Sequence, residues 1–169
     1  MTIFNSVYKS FTPPIQWYIP QMTANTQDWF TATCSTQLNS WFQPRRAFYE
    51  SQDSEDLAFH SNSIGSWNWA WSEIQMPDTI IVTNLKIRAR NADSIGNLRP
   101  MQAFTLKGSN DWSTWTEIYS ASWLSWSIWE IKEWDITGQN TAYTYLKLEI
   151  QASSSYVAFD CWNVAWTVS

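Results

Sequence analysis

Histidine occurs once in this chain, cysteine twice, glycine four times and the basic residues only ten times, and each shortage excludes something. His60, standing alone, supports neither a zinc site nor a catalytic triad, because both need partner groups at defined geometry. Cys34 and Cys161 lie far apart in sequence, which favours two buried thiols over a bridge and leaves the redox compartment open. Ten scattered Lys and Arg against fifteen Asp and Glu give a net charge of −5 and a pI near 4.7. Nucleic-acid binders collect basic residues on one face, so no nucleic-acid partner is expected. No apolar run approaches the roughly 20 residues that cross a bilayer, and the N-terminus lacks the charged-then-apolar pattern of an export signal; neither membrane insertion nor Sec export is expected. Also missing are a Gly-x-Ser-x-Gly elbow, a phosphate-cradling loop, Cys-x-x-Cys and paired histidines, the usual signatures of an enzyme. Asp53 and Glu55 pair two carboxylates, but a glycosidase pair must flank a substrate in a cleft, and a solvated acidic loop is the simpler reading.

The glycine shortage has a counterpart. Four glycines fall well below the usual ~7%, while tryptophan reaches fourteen. Trp112 follows Asn110-Asp111 in a turn slot that favours glycine because φ is positive there, and Trp29, Trp41, Trp69, Trp123, Trp126 and Trp166 fall in Ser, Asn and Thr surroundings of the same kind. Two readings stay open: a tryptophan-rich surface, or a gene whose UGA codons the biological host translates as glycine.

What is present reads as sheet. Phe104-Thr-Leu-Lys-Gly-Ser-Asn-Asp-Trp-Ser-Thr-Trp-Thr-Glu-Ile-Tyr119 is two alternating segments joined by a Gly-Ser-Asn-Asp turn, with Phe104 and Leu106 on one face and Trp115, Glu117 and Tyr119 alternating with Thr116 and Ile118. Further short strands are expected at 30–34, 71–75, 79–90, 128–135, 144–151 and 156–164, spaced as in a β-sandwich. Leu85, Ile87 and Ala89 share one face of the long strand, which ends in a charged tip at Arg90; Leu146, Leu148 and Ile150 point inward on another. Helical periodicity is nearly absent, with a single turn expected at Pro44–Phe48. Residues 1–20, with Pro13, Pro14 and Pro20 among aromatics, suit an extended arm or linker, leaving 21–169 as one domain.

These segments, in this order, resemble the discoidin or coagulation-factor type C domain of the galactose-binding-like superfamily, over about residues 22 to 166. Phe104-Thr-Leu-Lys-Gly-Ser-Asn-Asp111 followed by Trp115 matches the family's F-x-L-x-G-S-N-D-G-x-x-W. Arg46-Ala-Phe48, Phe59-His60-Ser61, Met76-Pro77-Asp78, Val82–Arg90, Tyr143–Leu148 and Val157–Trp162 follow the same scheme. The resemblance implies an all-β jelly-roll sandwich of two antiparallel sheets that binds carbohydrates, lipids or proteins through loops at one end, without chemistry of its own. The lead-in Ile19–Thr26 looks like those of bacteriophage tail-fibre modules that attach to host glycans.

Candidate ligand groups follow. Trp67, Trp69 and Trp71 beside His60 offer ring faces next to polar donors, as pyranose recognition requires. Arg90 and Asn91 close the long strand where family members aim an arginine at the ligand end, and Tyr156 follows a Ser-rich loop expected at the same end. Related modules often hold a structural calcium near the acidic loop, which here would use Glu50, Asp53 and Asp160. Tyr49 where the family has Asp, and Cys161 in place of the closing-strand Glu, weaken that case, so the expectation is no cofactor, with calcium as the alternative. The expected function is a non-catalytic carbohydrate-binding module of a phage tail fibre or virion appendage, its partner a cell-surface glycan. It would act at the virion or extracellular surface as a homo-oligomer or beside other surface proteins. The alternative is a structural assembly protein using the same sandwich.

Overall fold

Ten strands appear in the computed structural model among the residues it describes: 16–49, 58–62, 69–91, 101–152 and 156–167. They are β1 (Thr26–Gln27), β2 (Phe30–Cys34), β3 (Phe59–His60), β4 (Trp69–Arg88), β5 (Met101–Ser109), β6 (Thr116–Ala121), β7 (Ile131–Asp135), β8 (Tyr143–Ala152), β9 (Ala158–Phe159) and β10 (Cys161–Thr167). The expected turn at Pro44–Phe48 is a 3-10 helix with its proline at the start, and both cysteines are free thiols.

One strand organises the two layers. β4 runs for 20 residues, where the pattern suggests separate strands at 71–75 and 79–90. Its first half pairs antiparallel with β2 and β8, giving the order β1-β2-β4-β8-β5-β6; its second half pairs with β10 and β7. The change of partners falls at exposed Pro77-Asp78-Thr79, where proline has no N–H for a ladder. Ala70, Ser72, Ile74 and Met76 point inward from one half and Ile80, Val82, Leu85 and Ile87 from the other. The step from Val82 to Leu85 works because a bulge opposite Ala165 and Trp166 takes up one residue.

Between the layers lie Trp162, Phe59, Phe104 and Phe159, each fully buried and worth roughly 1.5–3 kcal/mol or more in apolar transfer. Gly108 is required by close approach, since a Cβ there would run into the Tyr143 ring. The β5–β6 hairpin stands where expected, but a register shift between Leu106 and Lys107 breaks the strict alternation, so Ile118 and Tyr119 both pack on the core. The lead-in also joins the fold: Trp17 bridges Ala165, Tyr18 N–H donates to the Val164 carbonyl (2.9 Å), and Ile19 is buried.

The registers bring one set of strand ends together. Trp69 pairs with Gln151 and Met101 with Ala152, so the start of β4, the start of β5 and the end of β8 are side by side. β4 changes partners at Pro77–Thr79, and near its other end Ile87 and Arg90 line one cavity with Met101.

Candidate ligand-binding rim

The short β3–β9 ladder sets His60 opposite Ala158, and Ser61 locks it. Ser61 N–H donates to the Val157 carbonyl and Val157 N–H donates to Ser61 Oγ, both at 3.0 Å. The His60 ring is 3% exposed, between the rings of Phe42 (5.1 Å) and Tyr156 (5.7 Å). Its Nδ1 lies 2.7 Å from the Ser61 carbonyl; a carbonyl only accepts, so Nδ1 carries the proton.

Arg90 comes from the opposite side. The β4 ladder stops at Arg88, Ala89 N–H donates to the Glu130 carbonyl (2.8 Å), and Arg90 turns inward. It is 3% exposed, with Nε donating to the Asn91 carbonyl at 2.9 Å, so the charged strand tip expected from the alternation is a buried guanidinium. With Met101, Trp126, Ala158 and Phe159 it lines a cavity of about 10 Å³, room for a single water. Ala158 thus touches both approaches, and His60, Arg90 and Tyr156 gather around β9. Asn91 and Tyr156 are half-buried.

The tryptophans are divided differently from the expected platform. Trp69 and Trp71 leave β4 on its outer face, with Ala70 inward between them. Lys147 Nζ sits 5.3 Å from the Trp71 ring centroid and 3.7 Å from that of Trp115, and 3.7 Å from Glu73 Oε2. Trp71 therefore belongs to a cluster on the sheet face. Trp69 is 47% exposed and, with Thr105, Ser120, Ser122 and Gln151, walls a groove of about 300 Å³ near the rim. An indole beside hydroxyls and an amide suits a sugar ring, which stacks its C–H face and hydrogen-bonds its edge. Trp67 lies outside the described residues.

Glu50 and Asp53 also lie outside them. Asp160 is wholly buried, and its Oδ2 is 3.3 Å from Arg88 Nη1. Among the described residues no three His, Cys, Asp or Glu side chains group as a metal site. Burial pushes the Glu73 carboxyl above its ordinary value, and Lys147 offsets only part of this; at 2% exposure it serves the sheet face, out of reach of a substrate. Glu130 is held below its ordinary value by Lys132 and by the Ser127 N–H, which anchors the loop carrying Trp126 and Trp129.

Sequence reasoning missed Phe42 and Trp126 at the rim. Trp126 donates its indole N–H to the Met101 carbonyl (2.8 Å), and the Trp129 ring covers the Arg88 guanidinium at 4.7 Å. Ser-Trp spacing reads as a turn, and nothing local announces these contacts.

Two antiparallel layers joined by one long strand make this an all-β sandwich, a fold it shares with solved carbohydrate-binding modules and an F5/8 type C domain. Similar solved structures include chitosan-binding module 1 of a chitosanase/glucanase from Paenibacillus sp. IK-5, at 19% identity and TM-score 0.60 over 79% of this chain and 92% of that one. The family 32 carbohydrate-binding module of Clostridium perfringens NanJ, in complex with galactose, matches at 13% identity and TM-score 0.60 over 80% and 92%. An F5/8 type C domain from Bacteroides fragilis matches at 8% identity and TM-score 0.62 over 80% and 89%. No protein-family model and no curated protein sequence matches the chain. At these identities the likeness establishes the fold.

Proposed function

We propose that this chain is a non-catalytic carbohydrate-binding module that grips cell-surface glycans at the rim formed by His60, Arg90, Asn91 and Tyr156, with the Trp69 groove beside it. One observation carries the reading: three residues chosen for hydrogen-bonding and stacking chemistry meet around β9, at one end of a fold shared with modules solved with galactose and with GalNAc-β-1,3-galactose. The buried His60 and Arg90 fix the positions of Tyr156 and Asn91, which meet the sugar. The reading invokes no cofactor; Arg88 stands beside the buried Asp160. A shallow single site binds weakly, so attachment would come from several copies together. The resemblance of the lead-in supports a setting in a phage tail fibre or other virion or extracellular appendage, displayed as a homo-oligomer or beside other surface proteins.

Glycan-array binding by the whole chain tests this. Wild type gives signal on a defined set of sugars; Tyr156→Ala and Asn91→Ala, at half-buried positions, abolish it while the melting temperature stays near wild type. No signal from wild type, or equal signal from both variants, moves the assignment to the second reading. That reading is a structural assembly protein whose residues 1–20 pack on a partner chain, and it predicts that the size of the protein in solution falls from oligomer to monomer when those residues are removed.

A further inference from the structure

Five non-glycine residues among those described have positive φ: Asp28 (49°), Trp29 (68°), Trp112 (61°), Trp123 (60°) and Trp129 (59°). Aspartate tolerates this left-handed region; a bulky side chain does not, and one such position shifts the folding equilibrium against the native state roughly tenfold. Tryptophan holds four of the five places yet only 14 of 169 residues. Gly138, at φ 79°, shows which residue this chain otherwise uses for the same conformation.

Turn chemistry agrees. Gln27 pairs with Phe30 across a two-residue connection, Asp28-Trp29, with φ positive at both centres. That is the pattern of a type I′ hairpin turn, for which Asp-Gly is a favoured pair. Asp111-Trp112 repeats the dipeptide: Asp111 Oδ1 accepts the N–H groups of Ser113 (2.8 Å) and Thr114 (2.7 Å) while the chain passes through the left-handed region at 112. The side chains offer little in return, since Trp29 is 85% exposed and Trp123 90% exposed.

Other tryptophans behave as tryptophan should. Trp162 is fully buried and bonded to Ser72, Trp134 meets Phe104 edge-on at 4.8 Å, Trp126 bonds Met101, and Trp166 packs on Tyr18 at 5.0 Å. None of these has positive φ. The backbone thus sorts one residue type into two populations, and it moves Trp126 and Trp166 out of the glycine-like group that their Ser and Thr surroundings suggest. Trp41 and Trp69, exposed but without positive φ, give the backbone no reason to be glycine.

We infer that Trp29, Trp112, Trp123 and Trp129 are glycines in the protein as its own host makes it, encoded by UGA codons that the host reads as glycine. A decoder that reads UGA as tryptophan merges them with the tryptophans encoded by UGG. The inference concerns the turns and stands independently of glycan binding.

The gene and two variants test it. UGA is expected at codons 29, 112, 123 and 129, and UGG at 115, 134 and 162; UGG at the first four overturns the inference. In protein made with tryptophan throughout, Trp29→Gly and Trp123→Gly each raise the folding equilibrium constant roughly tenfold over Trp29→Ala and Trp123→Ala, which remove the same indole but keep the left-handed penalty. Trp112 and Trp129 are less clean, because their rings lie on Tyr145 (5.3 Å) and Arg88. Glycine variants at 29 and 123 no more stable than their alanine counterparts also overturn it.

Discussion

Trp162 on β10 and Ser72 on the first half of β4 tie the two layers together: the indole N–H donates to the serine Oγ at 3.1 Å, with both side chains fully buried. Leaving a buried donor without its acceptor costs about 1–3 kcal/mol. Ser72→Ala should lose that much in denaturant unfolding, and Trp162→Phe at least as much, since it also vacates volume beside Phe48. The double variant should be less destabilised than the sum of the two by about 0.5 kcal/mol or more. Strictly additive losses would show that the bond does not couple the layers.

Asp160 and Arg88 form a contact of different character, within the β10–β4 layer. The carboxylate is wholly buried and the guanidinium side chain 15% exposed, so removing the cation takes an opposite charge away from a buried one. Arg88→Ala is therefore expected to cost about 3–5 kcal/mol. Addition of calcium or of a chelator should leave the wild-type melting temperature unchanged. A chelator-induced drop of several degrees would return Glu50, Asp53 and Asp160 to the role of metal ligands.

What the sequence disclosed, and what it hid, follows from how local the determinants are. The β5–β6 hairpin was legible because its alternation and its Gly-Ser-Asn-Asp turn lie within sixteen consecutive residues. β4 read as two strands because Pro77–Thr79 interrupts the pattern, whereas the chain continues as one strand and changes partners there. The strand expected from Ile128 starts at Ile131, after the left-handed turn at Trp129. Arg90 stands out through a family likeness, but its burial depends on β9 and Met101, which no local pattern brings near. The separation of Trp69 from Trp71 likewise depends on Lys147 and Trp115, supplied by other strands.

Two carboxylates should give opposite pH dependences. Asp111 is held well below its ordinary value by the Thr114 and Ser113 N–H groups, so its contribution is present above the unfolded value and lost as pH falls through the folded one. Glu73 is raised by burial, so its contribution is present below the unfolded value and lost as pH rises through the folded one. Between acid and neutral pH, Asp111→Asn should become progressively less stable relative to wild type, and Glu73→Gln progressively more stable. Thermal melts across that window check both signs, and parallel trends for the two variants would sink the assignment.

The lead-in is clipped to the sandwich by one side chain. Asn163 Nδ2 donates to the Ile19 carbonyl at 2.7 Å, and Ile19 N–H donates to Asn163 Oδ1 at 2.9 Å, so the amide reproduces a ladder pair beside the Tyr18–Val164 bond. Lys86 Nζ lies 4.8 Å from the centroid of the Trp17 ring on the same segment. Asn163→Ala deletes both halves of the clip at once, while the ladder of β10 on β4 keeps its backbone bonds. The expected result is a loss of about 1–3 kcal/mol and faster hydrogen exchange at the Ile19 and Tyr18 amides, with the Leu85 and Ile87 amides of β4 unchanged. Equal acceleration in β4 would mean that the segment is a cooperative part of the core; no acceleration at Ile19 would mean that burial of its side chain, and not the amide clip, holds it in place.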